Sequence, residues 1–301
     1  MKLTAAFVTM NRSATAETCI ERLVAQSRRP EEIIVIDNHS TDDTLVVLQQ
    51  LKSRHPTLLR IIPLDENLGN AGGIDIALEA AFASGSDFVW ILDDDSWPRA
   101  GALEAMLKSP WDPQVVRHAL QVDPETRRLT WPMWTRSDEE WKLVFEVSEL
   151  PDGDFIPSLT SWTGILVSQK VRELAGPVNG ALFIRGEDEE YPWRISQAGF
   201  SFEGVRGAVL DHPGSKSIVH WQLFGKHFFY ERGLADWKLH YKVRNMVWLK
   251  LRQSGRLSAV AMALSYLFAA ACLDSPGRLP LVLEACRDGL RGKLGKWSKH
   301  Q

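Results

Sequence analysis

A chain of 301 residues with 45% hydrophobic and 24% charged residues is long enough for one large domain or two ordinary ones, which excludes a disordered or multi-pass membrane chain. Its three cysteines, Cys19, Cys272 and Cys286, have neither zinc-site spacing nor a disulfide count, and the first residues lack a signal-peptide pattern, so a reducing cytoplasm is expected. The net charge of -3 conceals an asymmetry: 21 basic against 33 acidic residues through Gln222, then 14 against 5 from Leu223 onward. A tail of +9 following a body of -12 suits an anionic surface or a solvated basic face.

Leu3 to Thr9 reads as a strand, and Ala14 to Gln26 as a helix carrying Cys19, Ile20, Leu23 and Val24 at helical spacing. Ile33-Ile34-Val35-Ile36 is the apolar, β-branched run of a strand buried on both faces, and it ends in Asp37-Asn38-His39-Ser40. A helix with Leu45, Val46, Leu48 and Leu51 follows, then a strand over Leu59–Ile62, a helix over Ala71–Ala83 and a strand over Phe88–Leu92. The order βαβαβαβ predicts a parallel sheet covered by helices, with ligands beyond the carboxyl ends of its strands. Thr9, Asp37, the Asn67 loop and Asp93 to Asp95 each follow a different strand and should converge on one rim.

Residues 111–157, rich in Trp, Pro and charge, read as strands or loops added to the sheet. Order returns at Ser161–Val167, with a helix from Ser168 to Leu174 and a turn at Gly176-Pro177. The acidic run Glu187-Asp188-Glu189-Glu190 opens a helix to Gln197, a strand lies around Val205–Leu210, and the chain from Leu223 reads as mostly helical. These features divide the chain into a catalytic domain over 1–222, with halves of about 1–110 and 111–222, and a basic helical region over 223–301.

Trp90-Ile91-Leu92-Asp93-Asp94-Asp95 places three carboxylates where an apolar strand reaches the rim. Adjacent like charges repel, and a hard divalent cation, Mg²⁺ or Mn²⁺, holds such oxygens together. Alternation along extended chain puts Asp93 and Asp95 on one side and Asp94 on the other. Standing alone, the triplet reads more readily as an acidic loop capping the next helix.

Four segments, Thr9-Met10-Asn11-Arg12, Ile36 to Asp42, Glu66 to Gly73 and Asp93-Asp94-Asp95, occur in the order found in family 2 glycosyltransferases. The match continues through Phe183 to Tyr191 and Arg194, over roughly residues 1–250, and the sequence most resembles the galactofuranosyl and rhamnosyl transferase branch. This resemblance implies a GT-A fold: α/β, a mostly parallel central sheet flanked by helices, here with a helical C-terminal extension. It also implies a nucleotide diphosphate sugar donor and inversion at the anomeric carbon. Carried over residue by residue, it places Thr9, Arg12, Asp37, Asn67, Gly69, Gly72, Gly73 and Asp94 at the donor and Asp93, Asp95 and His212 at the metal. Asp211 and His220 are the alternatives to His212, and Asp75 stands where relatives often have Asn. Asp188 matches the general base, with Glu187 and Trp162 toward the acceptor.

Leu257 to Leu273 is 17 residues without charge, at the lower limit for a bilayer span, and basic residues accompany the leucines that follow. Peripheral contact with an anionic membrane is expected, at the inner face of the cytoplasmic membrane, with no nucleic acid partner. The acceptor expected from the branch is a glycan or lipid-linked saccharide of the bacterial cell envelope. A nucleotidyltransferase would carry a glycine-rich basic segment after the first strand, where this chain has Thr9 to Ser13. A sugar-binding or scaffold protein would have no need of intact acidic sites.

Overall fold

The computed structural model describes residues 1–137, 140–159, 161–215, 217–223 and 226–299. The chain divides into two compact units, residues 1–178 with 191–214, and residues 179–190 with 215–301.

The first unit opens with β1 (Leu3–Thr9), α1 (Ser13–Val24), β2 (Glu32–Asp37), α2 (Thr44–Arg54), β3 (Leu59–Pro63), α3 (Gly69–Ala83) and β4 (Phe88–Ile91). Each helix is the crossover between two parallel strands, and the sheet order places β1 between β4 and β2, with β3 beyond β2. Ile33 to Ile36 are wholly buried because helices cover both faces, as the unbroken apolar run implies. Each buried aliphatic side chain contributes about 1.5–3 kcal/mol relative to exposure. The strand β10 (Leu166–Ser168) closes this sheet antiparallel to β4, before α5 (Gln169–Ala175).

Between β4 and β10 the chain builds a second sheet: β5 (Trp97–Pro98), β6 (Val115–Val122), β7 (Met133–Ser137), β8 (Glu140–Val144), β9 (Phe155–Ser158) and, later, β11 (Ser201–Asp211), with the short α4 (Ala102–Met106) on the way. The irregular Trp-rich stretch therefore supplies the strands β6 to β9 of this sheet, joined by loops, with residues 138 and 139 outside the described residues. Its patterning was obscured by buried polar side chains. Arg117 on β6 is 2% exposed, pairs with Glu203 at 2.7 Å, donates to the carbonyls of Met106, Lys108 and Pro110, and lies over the rings of Trp111 and Phe155.

His118, next to it, is also buried, with Nε2 2.8 Å from Ser158 Oγ and Nδ1 3.1 Å from the Ala119 carbonyl. Burial pushes this imidazole down from 6.5 to about 4. The folded protein holds it neutral, while the unfolded chain takes up a proton below 6.5. Its contribution is thus present above about 6.5 and lost as pH falls toward about 4, a loss of about 3 kcal/mol. Urea unfolding at pH 7 and pH 4.5 should register this, and an unchanged pH slope in His118→Gln would reject it.

In the second unit, β12 (Ile218–Leu223) and β13 (Lys226–Glu231) form an antiparallel hairpin, and α7 (Asp236–Cys272) packs on α8 (Leu279–Arg291). The region from Leu223 is mostly helical, as expected, but it opens with the second strand of that hairpin, whose aromatic pairs Trp221 with Phe228 and His220 with Phe229 stack across its strands. The helix α7 is broken at Gly255, which takes φ 81° and ψ -177°. Leu239, Val243, Val247, Ala259, Ala263 and Ala270 of α7 meet Val282, Ala285 and Cys286 of α8 in an apolar core. The helix α6 (Glu187–Gln197) begins with the acidic run that belongs to the second unit.

Candidate active site

The parallel register brings the expected residues of the first unit together. Thr9 lies opposite Asp37 at the carboxyl ends of β1 and β2, and Ala6 opposite Ile91, so the chain leaving β4 emerges beside Thr9. Leu92 N–H still donates to the Ala6 carbonyl at 2.9 Å, after which Asp93-Asp94-Asp95 turn across the rim.

The three carboxylates separate as alternation requires. Asp94 points inward, 6% exposed, accepting from Thr9 Oγ1 and from Arg12 Nη1, each at 2.8 Å. Burial raises the Asp94 carboxyl, with the Asp95 charge adding to the rise and Arg12 opposing it. Burial also works against the charge on Arg12, but the Asp94 and Asp95 carboxylates outweigh it and hold the guanidinium protonated. Thr9 and Arg12 thus brace the acidic turn from within unit 1.

Asp93 and Asp95 face a common point with His212, their ligand atoms all within 4.8 Å of one another. The imidazole arrives there because Asp211 pairs with Trp97 and Leu210 with Pro98, so the end of β11 runs antiparallel to the strand that follows the triplet. Ser96 Oγ lies 2.6 Å from His212 Nδ1 and fixes the ring, and that nitrogen is 3.8 Å from Asp95 Oδ1. The opposite oxygen, Asp95 Oδ2, accepts from Arg12 Nη1 at 2.8 Å, so the ion pair leaves the His212 side of Asp95 open. Burial lowers the His212 proton affinity and keeps the ring neutral, the form that ligates. Two carboxylates and a neutral imidazole suit a divalent cation with hard or borderline preference.

Four positions that the sequence reading did not single out complete this site. Thr163 Oγ1 donates to Asp93 Oδ2, and Thr130 Oγ1 donates to the His212 carbonyl at 2.7 Å. Asp123 accepts from the backbone of Thr126, Gly214 and Glu125, bonds that hold its carboxyl down to about 2 and anchor the turn beyond His212. With Ser96 these groups orient the ligands through their second bonds. Only tertiary pairing reveals them, because hydroxyls scattered over 96–163 carry no spacing signal.

Asp37 is 2% exposed, and its buried Oδ1 has no hydrogen-bond partner among the described residues. Asn67 instead braces its own loop, where its Oδ1 accepts from Asn38 Nδ2 and Gly69 N–H, and Leu68 N–H donates to Asn38 Oδ1. The glycines expected for close approach of a ligand have a packing reason. A Cβ on Gly73 would stand 2.7 Å from Val8 Cγ2, so its small size seats α3 on β1, and one on Gly72 would stand 2.8 Å from Leu68 Cβ at the start of α3; Gly69 opens that helix at φ 71°. Asp75 ties α3 to α5, accepting from Arg172 Nη1 at 2.5 Å and Val178 N–H at 2.7 Å.

Trp162 is 6% exposed and packs edge to face on Tyr191, so the expected sugar-stacking face is occupied by packing. Asp211 is engaged by Arg99 Nε at 2.8 Å, and His220 sits in the hairpin of the second unit beside His227. In that second unit Glu187 is buried, whereas Asp188 is exposed with Oδ1 accepting from Gly186 N–H at 2.8 Å. Surrounding protein and then the Asp188 charge push Glu189 up to about 7, yet its side chain is open to solvent, and that screening favours a smaller rise. His240, Glu284 and Asp288 form another group with metal-compatible spacing, but Glu284 already accepts from Trp297 Nε1 at 3.2 Å and Lys299 Nζ at 2.7 Å.

A mixed, mostly parallel sheet with this acidic rim defines a GT-A glycosyltransferase, and residues 4–145 match the family model described as Glycosyl transferase family 2. Those residues belong to that family. Galactofuranosyltransferase GlfT1 of Mycolicibacterium smegmatis is 28% identical over 69% of this chain and 70% of its own length. N-acetylglucosaminyl-diphospho-decaprenol L-rhamnosyltransferase of Mycobacterium tuberculosis is 25% identical over 83% and 93%. A crystal structure of GalNAc-T7 with UDP, GalNAc and Mn²⁺ superposes with a TM-score of 0.58 at 15% identity, over 91% of this chain; the chain spans 56% of that structure's length.

Proposed function

We propose that the protein is an inverting, metal-dependent transferase that moves a sugar from UDP-galactofuranose or dTDP-rhamnose to a glycan or lipid-linked saccharide of the bacterial cell envelope. The observation that carries this reading is the convergence of Asp93, Asp95 and His212 on one point of the rim on which Asp37 ends β2. Asp93, Asp95 and His212 would hold Mg²⁺ or Mn²⁺, which when bound offsets the charge of the leaving nucleoside diphosphate. Asp37 accepts a hydrogen bond from the nucleotide base. Arg12 keeps Asp95 and Asp94 in place from the side away from His212.

Asp188 takes the proton of the acceptor hydroxyl as that oxygen attacks the anomeric carbon from the face opposite the leaving group. Its Oδ1 is held by Gly186 N–H, which leaves Oδ2 to receive the proton. Thermal unfolding of the pure protein with Mn²⁺ and a panel of nucleotide sugars tests the donor reading. A matching donor raises Tm by mass action, by about 2.7 kcal/mol at a hundredfold excess over Kd. No rise with any nucleotide sugar would sink it.

The reaction is placed at the inner face of the cytoplasmic membrane. Beyond Arg256, the solvent face of α7 consists of Leu257, Val260, Ala261, Leu264, Phe268 and Cys272, without a charge. Leu257 is 89% exposed, Leu264 60% and Phe268 56%. Exposed Arg252 and Arg256 precede this stripe, and Arg287, Arg291, Lys293 and Lys296 are exposed farther along the chain. By length and composition α7 contains a stretch that could cross a bilayer, although the helix is broken at Gly255. Its uncharged 17 residues, however, reach only about 25 Å and bury one face on α8, which favours lying in the interface. Leu264→Glu with Phe268→Glu should abolish co-sedimentation with anionic vesicles and leave transfer to a soluble acceptor intact; unchanged sedimentation rejects the surface.

A further inference from the structure

The segment that leads into Asp188 is held in an uphill conformation by two buried side chains of α7. Phe183 and Arg185 take φ of 66° and 64°, the left-handed region that side chains with Cβ disfavour, and Gly186 takes 132°. Such backbone persists where its surroundings over-determine it. Here Asn245, wholly buried, shares the two protons of its Nδ2 among three carbonyls of one loop: those of Leu182 at 2.9 Å, Ile184 at 3.0 Å and Arg185 at 2.6 Å. Arg244, 2% exposed, donates from Nε to Asn245 Oδ1 at 2.9 Å and so orients that amide. Its other nitrogens reach the Leu182 carbonyl at 3.2 Å and the Gly295 carbonyl at 2.7 Å.

The C-terminal segment closes the frame. Gly295 N–H donates to the Ala181 carbonyl at 2.7 Å, Trp297 N–H donates to Tyr241 Oη at 2.8 Å, and the Tyr241 ring stacks on Phe183 at 4.9 Å. Gly186 is pressed against the same amide: a Cβ there would stand 2.8 Å from Asn245 Cβ. Gly186 N–H in turn holds Asp188 Oδ1, and the Gly186 carbonyl accepts from Glu190 N–H at 2.8 Å. Contacts therefore run unbroken from Arg244 through Asn245 and Gly186 to Asp188. A buried guanidinium and amide, costly to desolvate, both bind the carbonyls of one short loop.

We infer that Asn245, braced by Arg244, is a positioning residue of the transfer reaction, fixing the loop that aims Asp188 at the acceptor hydroxyl. This inference rests on the reading of Asp188 as general base. Displacement of a reacting group by about an ångström costs on the order of 100-fold in rate, so Asn245→Ala should lower kcat by about that factor and change donor KM by less than about twofold. Arg244→Lys, which keeps the charge but not the fork, should fall between the two enzymes.

A double-mutant cycle with Asp188→Asn tests the route. If Asn245 acts through Asp188, Asn245→Ala costs little further rate in the Asp188→Asn background. Hydrogen exchange supplies the structural readout: amides of 182–188 should lose protection in Asn245→Ala while those of β1 and β2 keep theirs. Additive losses in the cycle, or an unchanged kcat in folded Asn245→Ala, overturn the inference with the base reading intact. Full transfer by Asp188→Asn instead overturns the base reading, and a loss in Asn245→Ala would then have to act elsewhere. If Asn245→Ala does not fold, the same cycle is run with Arg244→Lys, and additivity there overturns the inference equally.

Discussion

Asp188→Asn should lower kcat by about 10³-fold while donor affinity, read from thermal protection by the nucleotide sugar with Mn²⁺, stays within about twofold. The amide keeps the size of the carboxylate, and its Oδ1 can still accept from Gly186 N–H, so the loop keeps its form. What is lost is the capacity to take a proton. An acceptor hydroxyl that must attack while still protonated is a poor nucleophile, and a positioned base supplies about 10²–10⁴-fold in such reactions. Glu189, exposed next to it, is the internal control. If Glu189→Gln abolishes transfer and Asp188→Asn does not, the base is the neighbour. Because Glu189 is solvent-open, neither substitution should alter folding stability beyond about 0.5 kcal/mol.

The second large effect concerns the acidic turn, where two adjacent residues should fail in opposite ways. Asp95→Asn removes one of the three groups that face the common point and should raise the Mn²⁺ concentration for half-maximal activity at least about tenfold, with transfer falling about 10³-fold. Removal of divalent cation by chelator should have the same effect on the unaltered protein and be reversed by Mn²⁺. Asp94→Asn should leave Mn²⁺ affinity nearly unchanged. Asp94 is turned inward to Thr9 and Arg12, and its loss weakens a buried charge-assisted pair, so Tm falls by the equivalent of about 1–3 kcal/mol. Calorimetric Mn²⁺ titration beside a thermal unfolding curve separates the two. Equal loss of Mn²⁺ affinity in both variants would show that the turn does not divide as described.

Much of this site was legible because it depends on strand order and alternation. Thr9, Asp37 and Asp93 to Asp95 follow strands whose apolar runs and helical crossovers fix them as parallel neighbours, and the period of two sends Asp94 inward and its flanking carboxylates outward. His212 was reachable only through resemblance. The register of β5 against β11 that brings it to Asp95 rests on a two-residue strand, Trp97-Pro98, too short to leave a pattern. Packing contacts of other expected residues were not legible: Gly73 meets Val8, Asn67 braces a loop, and Trp162 is buried on Tyr191.

The α7 pair was missed as well. Arg244 and Asn245 lie in a helical stretch with apolar neighbours, where a buried guanidinium beside a buried amide was the available signal. The strands Ile218–Leu223 and Lys226–Glu231 were missed because they are short, Lys226-His227 followed by Phe228-Phe229-Tyr230 shows no alternation, and the chain beyond them is mostly helical.

By itself the sequence determined the class of sheet, the rim on which chemistry can occur and the separation of the acidic triplet, since hydrophobic periodicity and side-chain alternation are local properties of the chain. Tertiary structure alone decided which of the later residues join it. His212 and Ser96 meet across 116 residues of chain, and Thr163 and Asp123 come from other segments again, through the β5–β11 pairing and hydrogen bonds that sequence spacing does not encode. The loop before Asp188 was decided in the same way, its left-handed backbone being tolerated only where Asn245 and Arg244 satisfy its carbonyls.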